Sequence, residues 1–401
     1  MSRGRPGAMP RQRRILFVTG TRADFGKLKP LILGAQDLPG LDVRVFATGM
    51  HMLARYGSTI IEIQRSGCRS VHPFVNQDGS VTSQMDLVLA QTVQGLGFYV
   101  REARPDLIVV HGDRVEALAG AIVGALNNVL VAHVEGGELS GTVDDLLRHA
   151  VSKLAHLHFV ATDEARTRLI QMGECGEAVF VIGSPDVDVM LSSDLPPLED
   201  VRRHYDIPFE DYGILLYHPV TTERARLRRD ADAVVEAVRR SGRNFVAVYP
   251  NNDHGSELIL ARLRQLARMP GIRLLPSMRF EAFLTLLRHA QVIVGNSSAG
   301  VREAPVYGVP TVNVGTRQNR RHRATSIIDT AAAADAILDA LERLPQGLVP
   351  SLHFGTGCSA TLFVEALRSS ALWRTPRQKQ FRDAPADSTL PAAKTHATAA
   401  I

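Results

Sequence analysis

Short, almost unbroken apolar runs recur along the chain, and longer stretches with apolar residues at helical spacing separate them. In the first half the runs are Ile15–Val18, Val43–Ala47, Leu107–Val110, Val129–Val134, His158–Ala161 and Val179–Ile182. In the second half they are Ile214–Tyr217, Phe245–Tyr249, Ile272–Leu275, Val292–Val294 and Thr311–Val314. Runs without polar alternation are strands covered on both faces, and helices between them make βα units with parallel strands. The pattern predicts an α/β protein of two doubly wound, Rossmann-like domains facing across a cleft. A stretch from Ser184 to Asp211 containing Pro185, Pro196, Pro197 and Pro208 joins them. The expected divisions are a basic flexible N-terminus (1–12), a first domain (13–185) and a second domain (186–373) whose last helix can pack back on the first. A tail (374–401) rich in Gln, Lys, Pro, Ala and Thr comes last, where disorder is expected.

The polar motifs sit almost wholly just after these strands. They are Gly20-Thr-Arg-Ala-Asp24, Gly49-Met-His51, His111-Gly-Asp-Arg114, Glu135-Gly-Gly-Glu138, His218-Pro-Val-Thr-Thr-Glu223, Asn251-Asn-Asp253 and Asn296-Ser-Ser298. Open parallel sheets bind ligands beyond the carboxyl ends of their strands. A purely structural chain does not need polar residues at nearly every strand end, so an enzyme or a ligand-binding module is favoured.

Length and composition narrow the classes. At 401 residues the chain is too long for one ordinary core. The net charge of +5 is matched by Arg3, Arg5, Arg11, Arg13 and Arg14 alone, so the remainder is near neutral and no nucleic-acid partner is implied. Aromatic residues make up 5%, too few for a stacking surface. Ile15–Val18 is too short for a signal-peptide core and no run reaches membrane-spanning length, so no membrane partner is expected. Cys68, Cys175 and Cys358 lie far apart with no C-x-x-C pair, which argues against disulfide and zinc frameworks and for a cytoplasmic location.

Several constellations carry candidate chemistry. Val292–Pro310 reads as strand, polar turn and helix N-terminus, an arrangement that aims free N–H groups at a phosphate. Ser297, Ser298 and Gly300 would form that cradle, and Glu303 would accept hydrogen bonds from sugar hydroxyls. Helix capping by the serines explains the same residues equally well. Arg22 and Lys27, at the start of the helix after the first strand, suit a diphosphate. The turn is not G-x-G-x-x-G, so no nicotinamide cofactor is implied.

Asp113, Glu135 and Asp144 cluster after consecutive strands, and converging acids can push their proton affinities apart. Chemistry is favoured for Asp113 and Glu135, whereas Asp145 reads as a cap or a partner of Arg148. His218 at a strand end suits a proton donor or phosphate contact. His51, His111 and His133 read as structural. Asp186-Val-Asp188 comes after Ser184-Pro185 and reads as a capped helix start, so no metal is expected. Arg279 and Arg317 could reach a diphosphate; Arg320 and Arg321 read as solvated surface.

Taken together, Gly20-Thr-Arg-Ala-Asp-Phe-Gly-Lys, Thr48-Gly-Met-His-Met, His111-Gly-Asp-Arg, Val134-Glu-Gly-Gly-Glu, His218-Pro-Val-Thr-Thr-Glu and Gly295-Asn-Ser-Ser-Ala-Gly-Val-Arg-Glu-Ala-Pro resemble the hydrolysing UDP-N-acetylglucosamine 2-epimerases. The likeness covers residues 13 to 373 and is greatest to the bacterial enzymes that begin sialic acid synthesis for capsules. It implies a GT-B-like fold and conversion of UDP-N-acetylglucosamine and water to UDP and N-acetylmannosamine. It also implies essential acids at Asp113, Glu135 and Asp144 and a cleft histidine at His218. Phosphate contacts would come from Ser297, Ser298 and Gly300, a ribose contact from Glu303, and basic diphosphate contacts from Arg22 and Lys27. No cofactor is implied, and the partners are the UDP-sugar and further copies of the chain in a homodimer or homotetramer.

Such chemistry explains the residue types. Cleavage of the anomeric C–O bond builds positive character at C1 and acidifies C2. One carboxylate then takes the C2 proton, and a second group returns a proton to the opposite face of the resulting glycal. Asp113 and Glu135 would share those tasks, Asp144 would tune them or position water, and His218 would assist the departing phosphate. Rival readings are a GT-B glycosyltransferase, a non-catalytic sugar-nucleotide sensor, or an epimerase for another UDP- or GDP-linked acetamido sugar.

Overall fold

The computed structural model describes residues 12–77 and 84–383. Its apolar runs form two all-parallel sheets. The first holds β1 (Arg13–Thr19), β2 (Leu41–Ala47), β3 (Val71–Pro73), β4 (Leu107–His111), β5 (Leu130–Val134), β6 (Leu157–Val160) and β7 (Val179–Val181). Their spatial order is β3-β2-β1-β4-β5-β6-β7. The second holds β8 (Gly213–Leu216), β9 (Phe245–Val248), β10 (Ile272–Leu275), β11 (Val292–Gly295), β12 (Thr311–Val314) and β13 (Ile327–Thr330), in the order β10-β9-β8-β11-β12-β13. This is the doubly wound pair expected, in a GT-B-like arrangement.

Two strands carry no apolar run. β3 and β13 are sheet edges, short and partly exposed, so no continuous hydrophobic stretch marks them. The central strands are buried on both faces. Ile15, Phe17 and Phe159 pack on one side with Leu28 and Leu31, while Leu16, Val18, Ile108 and Val110 pack on the other. The helix Ser359–Arg368 crosses back to this first core, where Phe363 meets Phe159 and Phe17 with ring centroids 4.7 and 6.2 Å away.

The tail begins later than expected. Residues 374–383 lie against the first domain instead of hanging free of it. The Lys379 ammonium donates to the carbonyls of Lys153 (2.8 Å) and Ala155 (2.7 Å) and pairs with Glu174 (2.5 Å). A cation at the carboxyl end of the helix Val143–Leu154 is favoured by the unpaired carbonyls there. The expectations for residues 1–11 and 384–401 lie outside the described residues.

In both sheets the strand order reverses beside the first strand, between β1 and β4 and between β8 and β11. Loops leaving such a point diverge and open a crevice. Gly20–Lys27, His111–Arg114, His218–Glu223 and Gly295–Glu303 stand at the ends of those four strands. No helix among the described residues is long and apolar enough to cross a membrane.

Candidate active site

The two crevices face each other across a cavity of about 330 Å³. Arg22, Lys27, Asp113, Glu135, His218, Ser297 and Ser298 all line it. Asp144 lines an adjoining cavity of about 50 Å³ that shares Asp113, Arg114 and Arg317 with the first. Gly300, Glu303 and Arg279 line neither.

Glu135 leaves β5 with φ +63°, a left-handed conformation that a non-glycine residue holds only when its surroundings over-determine it. Those surroundings are cationic. Its Oε1 accepts from Arg302 at 2.7 Å and from the Ser184 hydroxyl, and its Oε2 lies 3.1 Å from His111 Nε2 and 3.8 Å from Lys27 Nζ. Burial alone would raise its proton affinity, but Arg302, Lys27 and His111 outweigh it and hold the carboxyl well below the usual range.

Asp113 lies just after β4 and pairs with Arg148 from the helix Val143–Leu154. Against its burial, Arg148, Arg321 and Arg317 bring its pKa down to about 2. Asp144 stands at the amino end of the same helix, where Thr142 accepts from its N–H, and its carboxylate accepts from Arg317 at 3.0 Å. Burial and the Asp113 charge raise its pKa despite Arg317. The acids are therefore pushed apart: Asp113 and Glu135 stay ionised while Asp144 favours its proton more. Asp145 accepts from the Ser140 N–H at 2.8 Å and from Arg148 Nη1 at 3.5 Å, the partner role expected of it.

His218 ends the strand segment after β8 and is pinned through Asn296, which accepts from its N–H (2.7 Å) and donates to its carbonyl (2.9 Å). Its Nδ1 accepts from the Asn251 N–H at 3.1 Å, which leaves the proton on Nε2. Burial and the Arg317 and Arg114 charges push its pKa down to about 3, so it is a neutral donor.

The cradle differs in one respect from expectation. Instead of one α-helix, two short 3₁₀ turns, Ser298–Gly300 and Ala304–Tyr307, come after β11, joined by Arg302 N–H to Ser298 carbonyl at 2.9 Å. A short 3₁₀ turn sums fewer peptide dipoles than a long helix, so the phosphate contact rests on local N–H and hydroxyl groups. Gly295 has φ +133°, and a Cβ there would stand 1.9 Å from the Leu216 carbonyl oxygen, so no side chain is accommodated. Ser297 caps the turn, accepting from the Ala299 N–H at 3.3 Å.

Three expected ligand contacts lie outside both cavities, and a fourth, Lys27, has carboxylate partners of its own. Gly300 is buried, and a Cβ there would meet Thr311 Cγ2 at 2.6 Å, so it serves packing against β12. Glu303 is buried with Oε1 3.2 Å from Lys27 Nζ. Burial raises its proton affinity more than Lys27 lowers it. Lys27 lines the cavity, yet its ammonium is also occupied by Asp186 at 2.8 Å. Arg279 is exposed at the start of the helix Phe280–His289, where its N–H donates to the Tyr205 hydroxyl at 2.9 Å and its carbonyl accepts from the Phe283 N–H. Arg22, by contrast, bridges the cleft from Glu62 to Ser277.

Sequence reasoning missed several members. Arg302 is a buried cation, and Arg321 is a largely buried one, with its side chain 10% exposed and 3.2 Å from Glu138. His111, read as structural, sits between Asp24 (3.0 Å) and Glu135 (3.1 Å). Against burial those carboxylates raise its pKa to about 9. His133 and His51 are structural as expected, bonded to Gly112 carbonyl (2.8 Å) and Ser152 (2.9 Å), and to Thr19 (3.1 Å) and Thr59 (2.6 Å). Asp186 and Asp188 do lie in a helix start, and Asp188 accepts from the N–H groups of Ser359 and Ala360. Among the described residues no group of three or more His, Cys, Asp or Glu could hold a metal ion.

A family model described as UDP-N-acetylglucosamine 2-epimerase matches residues 35–368. The chain is similar to the UDP-N-acetylglucosamine 2-epimerase of Neisseria meningitidis serogroup B, with 47% identity over 92% of this chain and 99% of that protein. It is also similar to the UDP-N,N'-diacetylbacillosamine 2-epimerase (hydrolyzing) of Legionella pneumophila, with 35% identity over 82% of this chain and 88% of that protein. Among solved structures it resembles the Methanocaldococcus jannaschii UDP-GlcNAc 2-epimerase in complex with UDP-GlcNAc and UDP. The TM-score is 0.76 at 20% identity, over 88% of this chain and 99% of that one, a likeness of fold. The chain belongs to the UDP-N-acetylglucosamine 2-epimerase family.

Proposed function

We propose that this member of the family is a hydrolysing 2-epimerase, which converts UDP-N-acetylglucosamine and water to UDP and N-acetylmannosamine for sialic acid synthesis. One observation carries the reading: two ionised carboxylates from consecutive strands, Asp113 and Glu135, share a cavity with the Ser297–Ser298 turn and the neutral imidazole of His218. Relatives named for the same sugar nucleotide and for hydrolysis support it.

The anomeric C1–O bond breaks and UDP leaves with the electron pair, stabilised by Arg22, the cradle N–H groups and the Nε2–H of His218. One of the two carboxylates takes the C2 proton, giving the 2-acetamidoglucal. Water then gives a proton to the other carboxylate as its oxygen adds to C1, and that carboxylate passes the proton to C2 on the opposite face. Asp144, which holds a proton more readily than its neighbours, positions that water in the adjoining cavity. A transferase needs an acceptor and one base, and a sensor needs no acid–base pair, so both use this cluster less well. The reaction is cytoplasmic, and the working form is a homodimer or homotetramer, which light scattering reads directly.

The test is proton NMR of the protein with UDP-N-acetylglucosamine in deuterated water, without added metal. UDP and N-acetylmannosamine deuterated at C2 are expected. UDP-linked product, or retention of the C2 proton, would sink the hydrolytic elimination. Turnover of UDP-N,N'-diacetylbacillosamine alone would move the substrate to that of the Legionella relative.

A further inference from the structure

The proposed reaction gives the buried cation Arg302 no task of its own. Arg302 belongs to the second domain, two residues beyond Gly300, and its N–H bond to the Ser298 carbonyl makes it part of the cradle turn. Its guanidinium reaches into the first domain. Nη2 donates to Glu135 Oε1 at 2.7 Å and to the Ser184 hydroxyl at 2.6 Å, while Nη1 donates to Glu138. The Phe354 ring lies over its face at 4.5 Å, and the side chain is 3% exposed. A planar fork held by a ring on one face and three oxygens at its edge has a fixed direction.

Glu135 needs such a fixture. Its left-handed φ of +63° is disfavoured for a residue with a side chain and persists only under external constraint. With Oε1 on Arg302 and Ser184 and Oε2 on His111, the guanidinium is the one constraint that comes from the phosphate-binding turn.

We propose that Arg302 is a positioning residue that ties the diphosphate cradle to the Glu135 carboxylate, so that filling the cradle orients the group that handles the C2 proton. Anions drawn to the N–H and hydroxyl groups of Ser297–Ser298 fix the turn, the Ser298–Arg302 bond carries that fixation to the guanidinium, and the guanidinium aims Glu135. The scheme rests on the epimerase reading above. It explains why elimination would wait for a bound nucleotide: without one the turn, and with it the carboxylate, is less constrained.

The full chain carrying Arg302→Lys tests this, because lysine keeps the charge and loses the fork. The expected result is a fall in kcat of at least about thirtyfold, with UDP affinity by calorimetry within about threefold. The acid limb of kcat/KM should move to higher pH, since Glu135 loses part of what keeps it ionised. Arg302→Gln should move it further; if that variant fails to fold, the lysine variant still decides. An unmoved acid limb, or a kcat within threefold of the unsubstituted protein, would overturn the proposal. Should the unsubstituted protein not turn over UDP-N-acetylglucosamine, the substrate reading fails on its own. Amide hydrogen exchange of residues 134–138 with and without UDP then decides the coupling: UDP should slow it in the unsubstituted chain and not in Arg302→Lys, and equal protection in both would end the idea.

Discussion

The two halves of the cleft use the same topology for opposite purposes. At the switch point of the first sheet the loops after β1, β4 and β5 present charged side chains: Arg22, Lys27, His111, Asp113 and Glu135. At the switch point of the second, the loops after β8 and β11 present a neutral imidazole, two serines and backbone N–H groups. The second domain keeps its own charges for reaching across. Arg302 meets Glu135 (2.7 Å), Arg317 meets Asp144 (3.0 Å) and Arg321 meets Glu138 (3.2 Å). Thus the acids that would do the chemistry sit in one domain, and the cations that set their ionisation come from both: Arg148, Lys27 and His111 from the same domain, and Arg302, Arg317 and Arg321 from the other. Domain closure then adds to acid–base tuning, because opening the cleft would take Arg302, Arg317 and Arg321 away from those carboxylates.

The sharpest way to break this division is to neutralise each half separately. Asp113→Asn and Glu135→Gln in the first half should each lower kcat by about 10²–10⁴-fold, with UDP affinity within a few-fold. Turnover close to that of the unsubstituted chain in either would remove that residue from proton transfer. The second half should respond in the opposite sense. Gly295→Ala places a Cβ 1.9 Å from the Leu216 carbonyl oxygen, so the turn must shift. UDP affinity measured by calorimetry should weaken at least about tenfold, roughly 1.4 kcal/mol, while kcat at saturation changes much less. Equal losses of kcat in all three variants would mean that the halves do not divide the work.

Legibility in the sequence divides along the same line. Strand-end motifs are local, so both sheets, Asp113, Glu135, His218 and the Ser297–Ser298 turn can be placed by reading each apolar run together with the polar residues at its carboxyl end. Partners across the cleft are not local. Arg302 and Glu135 lie 167 positions apart, and a lone arginine after a polar turn looks like solvated surface until the second domain is laid on the first. His111 escapes for the same reason: a histidine at a strand end acquires charge only from neighbours on other elements, here Asp24 and Glu135. The edge strands β3 and β13 escape because an edge buries too little to need an apolar run.

A pH measurement sharpens the charged half further. Against burial, Glu135 and Asp24 raise His111 to about 9, above the ordinary value of roughly 6.5. A group raised on folding contributes stability that is fully present below its unfolded value and is lost as pH rises through its folded value. The unsubstituted protein should therefore lose Tm between pH 6.5 and 9.5 by about 2–4 °C more than His111→Gln does. Parallel Tm profiles for the two proteins would show that the first half carries one buried cation fewer than the geometry implies.

The smallest expected effect tests the neutral half. Arg279 reads from the sequence as a diphosphate ligand, being a cation after a second-domain strand. Its position argues otherwise: the residue is exposed outside the cavity lining, and its N–H donates to the Tyr205 hydroxyl. A solvated charge at that distance gains little from an anion in the cleft, since water and salt screen it. Removing the side chain also leaves no buried group unpaired, because the Tyr205 bond belongs to the backbone and survives substitution. Arg279→Ala should then keep UDP affinity within about twofold, under roughly 0.5 kcal/mol, and Tm within about 1 °C. A tenfold loss of affinity would instead mean that the second half recruits a rim cation to the phosphate, and that its grip does not rest on N–H and hydroxyl groups alone.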